Sequence, residues 1–556
     1  MKRSLTVAFG LCISGSASAG GLLLPGAGVV STSRAGAAVA SADDSEAITL
    51  NPAGIAQSEG TVITIGAVAT SYSLSFARAG SYPTGSGDAY AGQPYPKMSN
   101  DSKPSLGFGS YQPIPLVGVV TDLHFLGDAT WMKRLHVGLS IYSPNAYPFR
   151  NFNNVNGQPY YTKDGNGNYG FPSNLNGAPP PTRYDVVAQD AAIVLPSIAA
   201  AYSILPNLSV GGRFSAGYAD FNSAVAVWGL TNYTEDIKQD GIITLHAHED
   251  FVTTYGFGAN YSPTPNLEFA AQWSAPIDIH AQGTAYSQNG TGVEIGGNSV
   301  TVTPVDPADA KCATGGTPTA LKACVDVEAV PMTATVAARW KFLDPKTKKL
   351  RGDVEVDLGY EHWGAKCDYN TNPNCLDPSD YHVTVDAQVT SPVAPGLGER
   401  LQPQLIEHDL RDTYSVRVGG SWIFPINDVN AVVARAGISY DTAAANDGWQ
   451  RVDLDGMART MFAIGGSYKF RRFAIDAGFS YIYEGSLTQN RNCQPTSTMQ
   501  GCGADGSTDG YGSKGRQGPD PVDPILQPDV QFEYPVNEGT FSAHYIQFML
   551  GASTWF

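Results

Sequence analysis

The sequence has no long hydrophobic run after its first nineteen residues, and this absence limits the possible folds. A membrane-spanning helix needs about 20 consecutive apolar residues, so a helical membrane protein is not predicted. Charge is also scarce, at 15% of 556 residues, and the formal net charge is −17. Because nucleic-acid binding depends on a basic surface, we expect no nucleic-acid partner.

Cysteine is scarce as well, with seven residues, six of which form three close pairs in Gly-, Asn-, Asp- and Pro-rich segments. The pairs are Cys312 with Cys324, Cys367 with Cys375, and Cys493 with Cys502. None has the CxxC spacing of a zinc site, although the Cys367 pair has histidines nearby in sequence. We predict three local disulfides, formed in an oxidising periplasm.

Catalytic signatures are missing too: there is no nucleophile elbow, no Gly-rich phosphate loop and no Ser-His-Asp pattern. The chain is therefore predicted not to be an enzyme and to need no cofactor. His246 and His248 share one strand face, but no third ligand is evident, so no metal site is predicted.

The first nineteen residues predict export. Lys2 and Arg3 form a basic start, Leu5 to Ile13 is apolar, and Ala17-Ser18-Ala19 matches a cleavage site of small residues. We predict a signal peptide at 1–19, with a mature chain that begins at Gly20.

Residues that favour amphipathic strands are abundant, with 61 Gly, 28 Tyr and 22 Phe. Segments 208–218, 414–424 and 473–481 alternate between apolar and polar residues over nine positions or more, as transmembrane strands do. A soluble β-sandwich would alternate in the same way. However, the connections alternate between short turns and loops of up to about 50 residues, which is the periplasmic and extracellular asymmetry of outer-membrane barrels.

The chain also ends on an amphipathic strand, in which Phe556, Leu550 and Phe548 share a face, as the barrel-assembly machinery recognises in many outer-membrane proteins. We predict an all-β fold, a transmembrane antiparallel β-barrel of about 14 strands over residues 60–556. The strands are expected to begin near residues 61, 105, 135, 185, 207, 249, 267, 331, 351, 411, 430, 458, 472 and 540. Long extracellular loops are expected at about 79–103, 144–183, 289–328, 366–408 and 488–538.

Residues 20–59 do not fit the strand pattern, because they are small and apolar with Gly and Pro breaks, and we expect them to pack inside the barrel as a plug. Arg34-Ala35-Gly36, residues 40–44 and Asn51-Pro52-Ala53 resemble the N-terminal hatch of the FadL family of outer-membrane long-chain fatty-acid transporters. The resemblance continues through segments 206–218, 272–283 and 412–420 and covers most of the mature chain. It implies a 14-stranded barrel, a hatch that plugs the lumen, and ligand exit through a gap at a kinked third strand.

The third predicted strand, His136 to Tyr142, is followed by Ser143-Pro144-Asn145. Proline cannot donate to a sheet ladder, so Pro144 and Asn145 are predicted to break the wall where the family's kink would lie. The alternative is that the strand simply ends there. Aromatic residues follow it, and they would either line an apolar capture groove or pack loops over the barrel mouth; the ligand-binding candidates among them are Tyr147, Phe149 and Phe152.

Inward-facing charge is the most informative local feature, since four consecutive predicted strands carry both signs on one inner wall. On this inner wall the cations are Arg339, Lys341, Arg417 and Arg435, and the carboxylates are Asp353, Glu355, Asp357 and Glu361. One interpretation is a structural ladder that anchors the hatch. The other is that one cation binds a ligand carboxylate. Arg213, isolated among Ser and Gly, is a second candidate for that role.

We therefore predict a monomeric outer-membrane transporter of a Gram-negative cell, in contact with outer-membrane lipid. It would take up hydrophobic small molecules, long-chain fatty acids or similar, by passive, hatch-gated, lateral diffusion. Fatty acids and neutral aromatic hydrocarbons both suit this architecture. The alternatives are a general diffusion porin and a surface adhesin or receptor that works through disulfide-pinned loops.

Overall fold

The computed structural model describes residues 21–84, 88–123, 127, 129, 131–227, 235–238, 240–289, 294–295, 298–299, 301–304, 321–364, 381–385, 387–390, 404–406, 408, 410–445, 449–454, 456–489 and 538–556. The predicted signal peptide lies outside these residues, as do all the paired cysteines except Cys324. Cys324 is disulfide-bonded. Its pairing with Cys312 stays a prediction.

Sixteen strands build the wall and its extracellular extension. They are β1 Thr61–Arg78, β2 Gln112–Asp122, β3 Leu135–Tyr142, β4 Ala188–Leu205, β5 Leu208–Val227, β6 Gly241–Thr264, β7 Leu267–Ser274, β8 Ile277–Asn289, β9 Leu321–Val330, β10 Thr333–Leu343, β11 Leu350–Glu361, β12 Thr413–Pro425, β13 Asn430–Asp441, β14 Arg459–Phe470, β15 Phe473–Gln489 and β16 Gly539–Trp555. Shorter strands are Met98–Ser99, Arg150–Asn151, Asn154–Val155, Gln158–Pro159, Thr162–Lys163, Tyr169–Gly170, Glu294–Ile295, Asn298–Ser299, Thr301–Pro304, Tyr381–Val385, Ala387–Thr390 and Gln404–Ile406.

Within the described residues, fourteen of these strands form an antiparallel ring, in chain order except that β10 follows β7. The ring closes because β16 pairs with β1 from Val62 opposite Trp555 to Arg78 opposite Gly539. On its other edge, β1 pairs with β2. The expected all-β, 14-stranded barrel is confirmed.

The outer face of the ring is apolar. Phe214, Trp340 and Leu550 are 49%, 49% and 67% exposed. In contrast, Ser215 and Arg339, the sequence neighbours of Phe214 and Trp340 on the opposite strand face, are buried. Since strand side chains alternate between faces, this pattern places an apolar surface toward lipid and a polar surface toward the lumen. None of the helices among the described residues has the length and apolar character needed to cross a membrane.

Twelve of the fourteen expected strand starts lie within three residues of the observed ones. The second strand begins at Gln112 rather than near 105, because residues 108–111 form a tight turn with Gly109 at φ +66°. The sixth begins at Gly241 rather than near 249, since its upper part pairs with β8 and turns polar side chains outward.

Two prolines interrupt the wall between β6 and β11. The chain breaks at Ala275-Pro276, between β7 and β8, and at Pro331-Met332, between β9 and β10. Above these breaks, β8 and β9 pair with each other and β8 pairs with the upper part of β6. β9 begins at Leu321, inside the segment that was predicted to be the 289–328 loop. This loop therefore ends before residue 321 rather than near residue 328.

The third strand is short, and the wall has a break above it. Tyr142, its last residue, lies opposite Leu116 of β2 and Leu195 of β4. The chain then leaves the sheet and meets β4 again at Arg150–Asn151, opposite Ala188 and Gln189. Between these two levels, residues 190–194 of β4 have no strand partner on that side within the described residues.

Residues 21–59, called the N-terminal segment below, lie inside the ring. They contain α1 Val29–Thr32, α2 Ala47–Leu50 and a 3-10 helix at Pro52–Gln57; a second 3-10 helix, Met132–Arg134, lies in the turn before β3. The segment packs closely on the wall: a Cβ at Gly437 would overlap the Arg34 carbonyl, and one at Gly258 would overlap the Asn51 side chain. Glycine at these two wall positions therefore permits the close approach.

Candidate functional site

Asn51, Pro52 and Ala53 hold the end of the N-terminal segment against β5 and β6. Asn51 caps the 3-10 helix, because its side chain accepts a hydrogen bond from the Ala53 amide, and proline suits the first helical position. Its amide group also donates to the Val39 carbonyl at 2.9 Å and to Asn260 of β6. All three residues are buried.

A buried ion network joins the N-terminal segment to the opposite wall. Arg34 pairs with Asp353 and Glu355 of β11 at 3.0 Å each. The Ala38, Val39 and Ala40 amides donate to carboxylates of the same strand. These contacts are the stronger, charge-assisted kind of hydrogen bond, between buried groups.

Three of the four cations on the charged wall are engaged in the same way. Arg339 pairs with Asp353 at 2.7 Å and with Glu268 of β7 at 3.1 Å, and Lys341 also pairs with Glu268. Arg435 pairs with Asp476 at 3.3 Å. These contacts leave the three cations little capacity to bind a ligand carboxylate in this structure.

Arg417 and Arg213 differ from those three. The nearest carboxylate to Arg417 is Asp441, at 3.9 Å, and Asp441 is already paired with Arg459 at 3.0 Å. Arg213 is buried and has no carboxylate within 4.0 Å among the described residues. Its guanidinium donates to the Thr49 carbonyl at 3.4 Å and to Ser274 at 3.2 Å, and it lies 5.6 Å from the Tyr142 ring centre.

Arg213 and Arg417 line one cavity of about 160 Å³ at the level of the broken third strand. Leu23, Leu24 and Leu50 of the N-terminal segment form part of its lining. Further lining residues come from the wall and include Tyr142, Pro144, Asn145, Ile277 and Val330. The lining also includes polar side chains, among them Gln272, Thr335 and the carboxylate of Glu361. The cavity thus combines apolar and polar walls with two guanidinium groups, neither of which has a carboxylate closer than 3.9 Å among the described residues.

Pro144 and Asn145 lie at the break, and the N-terminal segment is bonded to them. The Leu24 amide donates to the Asn145 carbonyl at 2.7 Å. The Asn145 side chain donates to the carbonyls of Pro25 and Gly26 at 3.1 and 3.2 Å. Residues 23–26 therefore lie beside the gap in the wall.

The loop aromatics pack together above the break. Tyr147 and Phe152 are fully buried, and Phe149 is partly buried against the same cluster. The Tyr147 hydroxyl bonds to Ser102 and to the Ser110 carbonyl, at 2.9 and 2.6 Å. In this structure they are packing residues of the loops, and a contact with ligand stays a prediction.

Nearby loops are joined by a second buried ion cluster, which sequence reasoning missed. Arg183 pairs with Asp240 at 2.9 Å and with Glu235 at 3.4 Å, and the Tyr184 hydroxyl donates to Asp240 at 2.8 Å. Burial raises the pKa of Asp240 to about 6, against the opposing effect of Arg183. These four residues lie in irregular loops, so no periodic signal marks them.

The sequence analysis also missed the place of two residues, Glu268 and Arg34, in the ion network. Glu268 could have been found, because it occupies an inward position of β7 between the outward-facing Leu267 and Phe269. Arg34 was recognised only as part of a motif. Its partners on β11 lie more than 300 residues away, so its role depends on tertiary structure.

A second cavity, of about 550 Å³, lies below the N-terminal segment toward the short turns. Its lining is strongly charged, with Asp43, Asp44 and Glu59 from the segment side and Arg435 and Lys469 from the wall. The direct path along the barrel axis is therefore lined by more charged side chains than the cavity at the broken strand.

A closed ring with a lipid-facing exterior and an enclosed N-terminal segment defines an outer-membrane barrel with an occupied lumen. A family model described as "Outer membrane protein transport protein (OMPP1/FadL/TodX)" matches residues 10–513. The chain belongs to this family and resides in the outer membrane. No curated protein matches the chain.

Solved structures share the fold at low sequence identity. A FadL homologue of Pseudomonas aeruginosa is 14% identical with a TM-score of 0.61, over 96% of this chain and 100% of that one. The Pseudomonas putida toluene transporter TodX is 12% identical with a TM-score of 0.55, over 96% and 99%. The Ralstonia pickettii toluene transporter TbuX is 14% identical with a TM-score of 0.52, over 96% and 99%.

Proposed function

We propose that this protein takes up hydrophobic small molecules by passive diffusion, with residues 20–59 acting as a hatch. One observation carries the proposal. At the broken third strand, a cavity lined by apolar and polar side chains contains Arg213, a buried cation that has no carboxylate within 4.0 Å among the described residues. Burying a charge is costly unless it is paired, so such a site favours a ligand with an apolar body and an anionic end.

The contrast between the two cavities supports a lateral exit. The lower cavity is lined by charges of both signs, and a hydrophobic ligand would have to break ion pairs such as Arg34–Asp353 to pass through it. The upper cavity lies beside Pro144 and Asn145, where the wall has no strand pairing. A path through this gap leads to the apolar exterior without crossing the charged network.

The size of the upper cavity supports gating by the N-terminal segment. At about 160 Å³ it is smaller than the ~300–1,000 Å³ of typical small-molecule pockets. Leu23 and Leu24 form part of its wall. In the proposed mechanism, a long ligand displaces residues 23–26 from Asn145 and opens the gap as it binds.

We propose a long-chain fatty acid, or a molecule of similar shape, as the ligand. The test compares binding of a fluorescent long-chain fatty acid and its methyl ester to purified protein, for the wild type and for Arg213→Gln/Arg417→Gln. The wild type is expected to bind the acid at least tenfold more tightly, because charge-assisted pairing favours the carboxylate. The double variant should bind the two ligands equally.

Lys103→Gln provides the control, since Lys103 is an exposed cation outside the cavity. Equal binding of acid and ester by the wild type would contradict the carboxylate assignment and favour a neutral ligand such as an aromatic hydrocarbon. Planar-bilayer recordings test the gate separately. Large, steady ion currents would contradict a hatch and indicate a general diffusion porin. The adhesin alternative depends on loops outside the described residues and stays a prediction.

A further inference from the structure

The short-turn end of the barrel carries exposed cations on an otherwise acidic chain. Lys346, Lys348 and Lys349 lie in the β10–β11 turn, and Arg471 and Arg472 form the β14–β15 turn. All five are exposed, and none has a carboxylate within 4.0 Å among the described residues. By contrast, the extracellular ends of β5, β6, β8 and β9 point carboxylates outward.

The lysine turn has a fixed conformation. Asp344 accepts hydrogen bonds from the amides of Lys346 and Thr347, at 2.9 and 2.8 Å. Arg351 pairs with the same carboxylate at 2.9 Å. These bonds hold the pKa of Asp344 well below its usual value. The three lysines therefore extend from a preorganised turn rather than from a flexible loop.

Backbone strain marks two of the five cations. Lys348 and Arg471 have φ of +61° and +52°, a region that favours glycine or asparagine and is costly for long side chains. Only Ala35 and Asn156 share this feature among the non-glycine residues described. Glycine would adopt these φ values without the steric cost that Lys348 and Arg471 bear.

The turns lie at the depth of the lipid headgroups. Phe342 precedes Asp344 by two residues, and Phe470 and Phe473 flank the arginine pair directly. Aromatic girdles mark the membrane interface, and two strand residues span about 7 Å. Headgroup phosphates at that level lie within the Debye length of about 8 Å at physiological salt, so the charges attract them.

We propose that these two turns form a binding surface for anionic phospholipids of the periplasmic leaflet. The lysine turn and the arginine turn would hold the headgroups while the aromatic girdle contacts the acyl chains. The turn between them exposes Ile426, Val429 and one carboxylate, Asp428, against the five cations. A cation near an anionic surface contributes about 1 kcal/mol, which is about fivefold in affinity.

Native mass spectrometry of the purified protein with phosphatidylglycerol or phosphatidylcholine of the same acyl chains tests this surface. The wild type should retain phosphatidylglycerol at least fivefold better. The variant Lys346→Gln/Lys348→Asn/Lys349→Gln/Arg471→Asn/Arg472→Gln should lose that preference. Asparagine tolerates positive φ, so this variant is expected to fold at least as stably as the wild type. Lys97→Gln/Lys103→Gln/Lys163→Gln is the matched control and should keep the preference.

Equal retention of the two lipids by the wild type would overturn the proposal, as would an unchanged preference in the five-site variant. Retention of the wild type by peptidoglycan sacculi, without any lipid preference, would also overturn it and assign the turns to an anionic polymer. Heat-modifiable gel mobility checks that each variant is folded before its lipids are counted.

Discussion

Two arginines of equal burial lie on the lumen wall in opposite electrostatic situations. Arg339 is 8% exposed and has two carboxylates within 3.1 Å, whereas Arg213 is 7% exposed and has none within 4.0 Å among the described residues. The first belongs to the network that holds the N-terminal segment. The second lines the cavity beside the broken strand.

The difference separates two sides of one barrel. On the β10–β11 side, each inward-facing cation among the described residues is paired with a carboxylate of the wall, and Arg34 joins the N-terminal segment to that wall. On the β3–β5 side, Arg213 has hydrogen bonds but no carboxylate partner among the described residues, and both apolar and polar side chains surround it. Three experiments test this contrast, and the one with the largest expected effect comes first; a fourth tests the loop cluster.

Arg34→Ala should loosen the N-terminal segment most strongly. It leaves Asp353 and Glu355 buried with one partner fewer, and breaking a buried ion pair costs about 3–5 kcal/mol. We expect a rise in single-channel conductance and in protease cleavage within residues 21–59. Arg34→Lys keeps the charge but loses the two-pronged geometry, so its effect should be smaller. Wild-type conductance in Arg34→Ala would show that the pairs do not hold the segment.

Arg339→Met and Arg213→Met compare the two arginines directly. Arg339→Met leaves the buried carboxylates of Asp353 and Glu268 without this ion-pair partner. It should destabilise the barrel by about 3 kcal/mol or more. Arg213→Met removes an unpaired buried charge and should change stability by less than about 1 kcal/mol, in either direction. Urea midpoints from heat-modifiable gels measure both. Equal losses would mean that Arg213 is structural after all.

Asn145→Ala should free residues 23–26 from the break. It removes two hydrogen bonds to the Pro25 and Gly26 carbonyls, each worth about 1 kcal/mol. We expect faster uptake of a labelled fatty acid in whole cells at unchanged expression. Asn166→Ala, at an exposed position of a loop away from the gap, is the control. Slower uptake in Asn145→Ala would assign Asn145 to the path rather than to its closure.

Asp240→Asn should remove a pH-dependent contribution to the stability of the loop cluster and also weaken its contact with Arg183. The folded-state pKa of Asp240, about 6, exceeds the unfolded value of about 3.9, so the folded state binds more protons between these values. Its contribution to the free energy of unfolding therefore falls as pH rises from about 4 to 6. Thermal midpoints at pH 4.5 and 7 should converge in Asp240→Asn but not in Asp250→Asn, an exposed control.

The fold was largely predictable from the sequence, because a barrel strand has the same two-residue period as its side-chain pattern. Residues 208–218 alternate as expected, with Phe214 outside and Arg213 inside. The interruptions at Pro276 and Pro331 were not predicted. A proline can end a strand or interrupt it, and only the pairing of β8 with β6 distinguishes the two.

The candidate site was predictable only in part. Alternation along single strands identified Arg213, Arg339, Lys341, Arg417 and Arg435 as inward-facing. It could not tell which of them is neutralised, because the partners come from neighbouring strands and from Arg34 of the N-terminal segment. Tyr147 and Phe152 illustrate the same limit, since a loop aromatic looks the same in sequence whether it is buried or open to ligand.

The sequence by itself determined the class of fold, the strand count and which side chains face inward, because each depends on a local period. The tertiary structure decided which inward-facing arginine lacks a carboxylate partner, where the wall lacks strand pairing and which contacts hold the N-terminal segment. These depend on contacts between residues hundreds of positions apart, such as Arg34 with Asp353 and Leu24 with Asn145. No periodicity in the chain records such distances.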